Sequence, residues 1–240
     1  MTAPMKRSGF SQGIYQISST RKERVGSIRM LADGRKFRYA KAGAGALSAG
    51  KMGVAAQIAS TVMNKTCPAT AVGTKVITLT IDSATYAEDY FTGGFFQIND
   101  AAGEGYSYPI VASSVVAAGT SIDITIEEGI KVALTTSSEY TLVHSPWMAT
   151  VESATEENIP VGVPVVAVTA AYYYWAQTHG VAACLGSGTE AVGTRMVLGA
   201  TAGSLKAMSA SVDVDIPEVG WQYGTASVSG EYKPVFLTID

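Results

Sequence analysis

The sequence predicts an all-β protein built from antiparallel sandwich- or barrel-like segments, with an extended N-terminal arm. Three observations carry this expectation. Apolar and polar residues alternate at period two through several stretches rich in β-branched side chains. Turn-forming clusters fall between them: DGR (33–35), TGG (92–94), DAAGEG (100–105), EEG (127–129), GSG (186–188) and SGE (229–231). No strand–helix alternation of the βαβ kind is visible.

Taken in order, Gly13–Ser18 reads as a short strand. FRYAK (37–41) follows the DGR turn and alternates Phe37 and Tyr39 with Lys36 and Arg38. KMGVAAQIASTVM (51–63) places Met52, Ala55, Ala56, Ala59 and Val62–Met63 at helical spacing. Gly53 and the lack of caps weaken that pattern, so helix and strand both stay open. KTCPATAVGT (65–74) is a connector. KVITLTID then puts Ile77, Leu79 and Ile81 on one face. Phe95–Asn99 and Ser107–Ala112 are shorter candidates. SIDITIE aligns Ile122, Ile124 and Ile126, and Tyr140–His144 follows. ESATEENIP (152–160) is polar and closed by Pro160, which suits a linker. Val163–Thr169 is a strand whose Pro164 belongs at an edge or bulge. Met196–Gly199 is a further short strand. SVDVDIP sets Val212, Val214 and Ile216 against Asp213 and Asp215, and PVFLTID aligns Val235, Leu237 and Ile239. The organisation read from these pieces is a basic arm (1–65), a first β segment (66–151) and a second (152–240).

The densest aromatic stretch is YYYWAQTHGVAACLGSG (172–188). As a strand it sends Tyr172, Tyr174, Ala176, Thr178, Gly180, Ala182 and Cys184 to one face. Tyr173, Trp175, Gln177, His179, Val181, Ala183 and Leu185 take the other. The first face turns small after Tyr174, so another layer can approach closely. Aromatics with polar tips suit either a subunit interface or an internal core.

Of the 240 residues, 47% are hydrophobic and only 15% charged, which suggests much buried or subunit-contacting surface and excludes a disordered chain. No apolar run reaches the ~20 residues of a membrane helix, and MTAPMKRSGFSQG lacks the apolar core of a secretory signal. Neither membrane association nor secretion is expected. The net charge of −3 is uneven. Residues 1–65 carry twelve Lys and Arg against Glu23 and Asp33; the other 175 carry five basic and eighteen acidic residues. One-sided charge steers a segment onto an acidic surface. Arg21, Lys22, Arg24, Arg35, Lys36 and Arg38 are therefore the candidate partner-binding residues. With four aromatics and no nucleic-acid motif in that quarter, nucleic acid is not the expected partner.

Signals for chemistry are weak. GALSAGKM (45–52) matches G-x-x-x-x-G-K but has Met52 where a hydroxyl must hold magnesium. His144 and His179 belong to no metal-binding motif, and Cys67 and Cys184 form no CxxC. A Cys184–His179 nucleophile pair would sit on opposite faces of one strand. The acids Glu127–Glu128, Glu152, Glu156–Glu157, Asp213 and Asp215 read as solvated rims rather than a glycosidase pair. No catalytic residue, cofactor or metal is expected.

Several stretches, in the same order along most of the chain, resemble head-decoration (capsid cement) proteins of tailed bacteriophages. They are SQGIYQISST, LADGRKFRYAKAGAGALSAGKM, GGFFQINDAAGEGYSYPI, SIDITIEEGIKVALTTSSEYTLVHSPW, VPVVAVTAAYYYWAQTHGVAACLGSG and SGEYKPVFLTID. The family's aromatic strand matches Tyr173, Trp175, Gln177 and Gly180; its basic turn and strand match Asp33, Gly34, Arg35, Phe37, Arg38 and Tyr39. The resemblance implies a non-enzymatic virion protein on the outer capsid surface, bridging subunits of the major capsid protein, commonly as a homotrimer. Tyr172, Tyr173, Tyr174 and Trp175 are then interface or core aromatics. Two other readings stand beside it: a tail-tube or fibre-base subunit, and a carbohydrate-binding or hydrolytic sandwich using Trp147, Trp175 or Trp221.

Overall fold

The computed structural model describes residues 9–224 and 228–240; Lys6 and Arg7 of the basic quarter lie outside them. In chain order the strands are β1 (Ile28–Met30), β2 (Lys36–Lys41), β3 (Gly53–Val54), β4 (Lys65–Thr66), β5 (Val76–Tyr86), β6 (Phe95–Asp100), β7 (Ser107–Ser113) and β8 (Val116–Ile126). Then follow β9 (Glu139–Val143), β10 (Pro160–Pro164), β11 (Tyr173–Leu185), β12 (Arg195–Leu198), β13 (Leu205–Ala207), β14 (Glu218–Gln222) and β15 (Tyr232–Thr238). A 3-10 turn at Ser60–Val62 is the one helical segment among the described residues. The fold is all-β, and the ladders between these strands are antiparallel.

The chain forms two compact units: Met1–Ala55 with Ala149–Asp240, and Ala56–Met148. This corrects the division at 65 and 151, and with it the separate basic arm. Residues 36–41 pair with β11, so Phe37 and Tyr39 enter a core as fully buried side chains. Charge content describes the outward side chains of this segment and carries no information about a pairing partner far along the chain.

The first unit holds a nine-stranded sheet of order β1-β2-β11-β15-β14-β12-β13, with β10 on β11 and β3 on β10. β11 organises it. β2 pairs along its first half, while β10 and then β15 take the opposite edge. The register against β2 slips between Gln177 and His179, and Gly180 sits at φ +83 beside that slip. The expected alternation holds in the second half of β11, where Ala182 and Cys184 are buried and Val181 is exposed. There the small face packs against Met196, Leu198, Val219, Val235 and Leu237. In the first half both faces are buried, from Tyr174 to Thr178.

The second unit is a six-stranded sheet of order β4-β9-β6-β7-β8-β5. Ile77, Leu79 and Ile81 of β5 face the core, opposite Ile122, Ile124 and Ile126 of β8, as the alternation predicts. Each such side chain contributes about 1.5–3 kcal/mol when fully buried. The sheet curls until its edge strands meet. Lys65 of β4 reaches Asp82 of β5 at 2.6 Å, and the Tyr140 hydroxyl donates to the Thr80 carbonyl at 2.6 Å.

Four local expectations are corrected. Gly13–Ser18 is a turn, closed by Gln16 N–H to the Gly13 carbonyl at 3.1 Å, with an isolated bridge at Ser18. Residues 51–63 form neither a full helix nor a full strand, but β3 followed by the 3-10 turn. Val163–Thr169 is strand only through Pro164. SVDVDIP reverses its expected faces at the start: Val212 and Val214 are 75% and 62% exposed and Asp213 is 3% exposed, while Asp215 stays exposed and Ile216 packs on the core. The Asp213 carboxylate accepts from Ser209 N–H at 2.7 Å and Lys206 Nζ at 2.9 Å, which stabilises a turn over a strand.

Candidate functional site

The aromatics of β11 divide between two environments. Trp175 is fully buried with Phe37 and Tyr39 of β2, and Tyr173 packs on their margin. The Trp175 ring meets Phe10 and Tyr39 edge-on, each at 5.0 Å, and Tyr173 stacks on Tyr39 at 5.8 Å. Gln12, 2% exposed, ties the segment before β1 to this cluster. Its Nε2 donates to the Tyr173 and Gln16 carbonyls, its Oε1 accepts from the Tyr39 hydroxyl, and its carbonyl accepts from Trp175 Nε1 at 3.0 Å. Arg29 donates to the same carbonyl at 2.8 Å and lies over both Phe10 and Trp175. Tyr174 points to the other face, where its hydroxyl bonds Thr150 at 2.9 Å and burial pushes its pKa up. Tyr172 is half-buried beyond the strand end. Tyr173, Tyr174 and Trp175 are thus internal core of the first unit.

The six basic candidates do not act alike. Arg38 clasps the Asp240 carboxylate with two bonds, 2.6 and 2.7 Å, and donates a third to the Gly26 carbonyl at 2.9 Å. That guanidinium holds the Asp240 carboxyl below its ordinary pKa. Lys36 donates to the Asp240 carbonyl at 3.3 Å. Arg35 pairs with Asp33 at 2.8 Å over the Phe37 ring. Arg21, Lys22 and Arg24 remain exposed, on the segment leading into β1. β1 is an edge strand, and its Ile28 and Met30 are 50% and 65% exposed.

A groove of about 530 Å³ is lined by Tyr15, Arg35, Val163, Gln177, Val181 and Tyr232, among others. Its walls are mostly apolar, and Arg35, its one cation, is already engaged by Asp33. The G-x-x-x-x-G-K match lies in a loop, where Lys51 and Ser48 N–H both bond Glu152. Glu156 takes Lys206 at 2.7 Å. His144 Nδ1 bonds the Ser145 carbonyl, and His179 packs edge-on against Phe236. Among the described residues no three His, Cys, Asp or Glu side chains gather as a metal site. Burial pushes the Cys67 thiol to about 11 and the Cys184 thiol to about 12, away from nucleophilic use. Trp175 has no exposed face to offer a sugar, and Arg195 lies over the Trp221 ring at 5.3 Å.

One pair was missed by the sequence reading. Lys233 of β15 and Glu190 of the loop after β11 are both buried and in direct contact, and Lys233 Nζ also donates to the Gly188 carbonyl at 2.8 Å. Burial lowers the Lys233 pKa. The signal was available: continuing the Val235–Leu237 alternation back two residues puts Lys233 on the core face.

No protein-family model, curated protein or solved structure matches this chain.

Proposed function

We propose that this chain is a non-enzymatic structural protein of a tailed-bacteriophage virion. It binds the outer capsid surface as a homotrimer and bridges subunits of the major capsid protein. The ordered resemblance along the sequence motivates the reading. The observation that carries it is the edge of the first unit, where exposed Ile28 and Met30 follow exposed Arg21, Lys22 and Arg24 a few residues along the chain. An open strand edge with apolar side chains and a basic flank fits an acidic protein surface. The charges steer encounter but contribute only about 0–1 kcal/mol each. Ile28 and Met30 are already partly buried, so their further burial contributes about 1–2 kcal/mol each, repeated in every copy of a trimer.

The test adds the purified chain to expanded, empty phage heads stripped of decoration and counts bound copies by particle reconstruction. Knobs at regular lattice positions are expected, together with a solution mass of three 25.0 kDa chains. Charge reversal at Arg21, Lys22 and Arg24 should slow binding at low salt, and the difference should fade at high salt. Bare heads, or equal rates for reversed and native charges at both salts, overturn the proposal.

A further inference from the structure

Lys233 and Glu190 form a site with unusual privacy. Their side chains are 0% and 2% exposed. Lys233 enters from β15 in line with Val235 and Leu237, and its backbone is paired with Cys184 of β11. Its side chain runs over Gly186, so that a Cβ there would fall on the lysine Cε. Gly188 leaves similar room for the acid, since a Cβ on it would lie 2.6 Å from Glu190 Oε1. The GSG stretch, read from sequence as a turn, is therefore a cradle in which an amine and a carboxyl group meet shielded from bulk solvent.

Such a meeting has a chemical outcome besides an ion pair. At this degree of burial an ammonium and a carboxylate are each costly, and a proton passed from Nζ to the carboxylate leaves a neutral amine beside a carboxylic acid. Those are the reactive forms for amide formation. The fold holds them in contact, and intramolecular placement replaces effective concentrations of up to roughly 10⁵–10⁸ M once the reacting atoms align. The Gly188 carbonyl, 2.8 Å from Nζ, accepts one N–H and so fixes the orientation of the nitrogen.

We infer that Lys233 and Glu190 become joined by an isopeptide bond, which the folded chain forms by itself. The Nζ lone pair attacks Cδ of the acid. The N–C bond forms as the C=O electron pair moves to oxygen. The tetrahedral intermediate then re-forms the carbonyl and breaks the bond from Cδ to the hydroxyl oxygen. That hydroxyl leaves with one proton from nitrogen, as water. One amine and one acid give one amide and one water, and no oxidant, cofactor or activating group enters. The bond closes a covalent loop between the segment after β11 and the start of β15. This inference stands independently of the virion role.

Intact mass of the full chain under denaturing conditions tests it, followed by protease mapping. The expected result is a wild-type mass lower by one water, with a branched peptide joining Glu190 to Lys233. Lys233→Met and Glu190→Ala should each carry their full sequence mass. The wild-type measurement decides the matter even where a variant fails to fold. A full wild-type mass, or a loss of water mapped to other residues, overturns the inference.

Discussion

Replacing Trp175 with alanine removes the centre of the cluster that joins the segment before β1, β2 and β11. The indole is fully buried, donates to the Gln12 carbonyl at 3.0 Å, and meets Phe10 and Tyr39 edge-on at 5.0 Å. A buried Trp→Ala change costs about 3–5 kcal/mol, with the lower end reached where neighbours collapse into the void. Here Tyr39 is held by its own bond to Gln12, which limits collapse and favours the upper end. Trp175→Phe separates the contributions. It keeps an aromatic ring and loses the N–H donor, yet the Gln12 carbonyl retains Arg29 at 2.8 Å and is not orphaned. About 1–2 kcal/mol is expected for that variant. Hydrogen exchange of peptides covering β2 and β11 reads the loss locally. At about 1.4 kcal/mol per tenfold, the alanine variant should exchange roughly 10²- to 10³·⁵-fold faster. Protection within about threefold of wild type (under 1 kcal/mol on the same conversion) would refute the view that these rings hold the sheet together.

Two further outcomes follow from ionisable groups. Asp240 has its carboxyl pKa lowered by Arg38, so the pair stabilises the folded chain above about pH 4 and that contribution fades as pH falls through the depressed value. Arg38→Ala should therefore cost about 1 kcal/mol at neutral pH, and the gap from wild type in denaturant midpoint should narrow on acidification; a gap that widens contradicts the assignment. Cys67 and Cys184, pushed by burial to about 11 and about 12, should resist an aromatic disulfide reagent at neutral pH and both react after denaturation. Fast labelling of the native chain at either thiol would show that its site opens.

The legible parts of the fold were those where neighbours in sequence decide the outcome. β5 and β8 follow their period-two patterns because each has one core face and one mostly polar face, whereas β15 alternates in burial with Lys233 on its core side and Pro234 and Phe236 on the other. SVDVDIP carries the same pattern, but Asp213 has Lys206 and Ser209 N–H within reach, and that local bonding stabilises a turn and exposes the valines. Alternation records polarity, and it is blind to a carboxylate whose partners lie inside. The aromatic stretch 172–188 was rightly seen as a strand, while its two-sided burial from Tyr174 to Thr178 depends on distant segments, Phe10 and Gln12 against Trp175 and Thr150 against Tyr174, which no local signal announces. Arg38 was placed correctly opposite Phe37 and Tyr39, yet its use is set by Asp240, which arrives from the other end of the chain. Of the predicted docking set, Arg21, Lys22 and Arg24 are exposed, and Arg35, Lys36 and Arg38 bond Asp33 or Asp240 of the same unit.

The interleaved connectivity also sets a timetable for synthesis. Residues 56–148 are contiguous, so that unit has all its strands once Met148 has left the ribosome. The other unit cannot be completed so early, because β15 lies between β11 and β14 in the sheet and follows every other strand of that unit along the chain. Until then β2 and β11 carry their aromatic side chains on a nascent chain with an unfinished sheet. Truncation before Tyr232 should therefore leave one unit native-like and the other, lacking β15, available to chaperones.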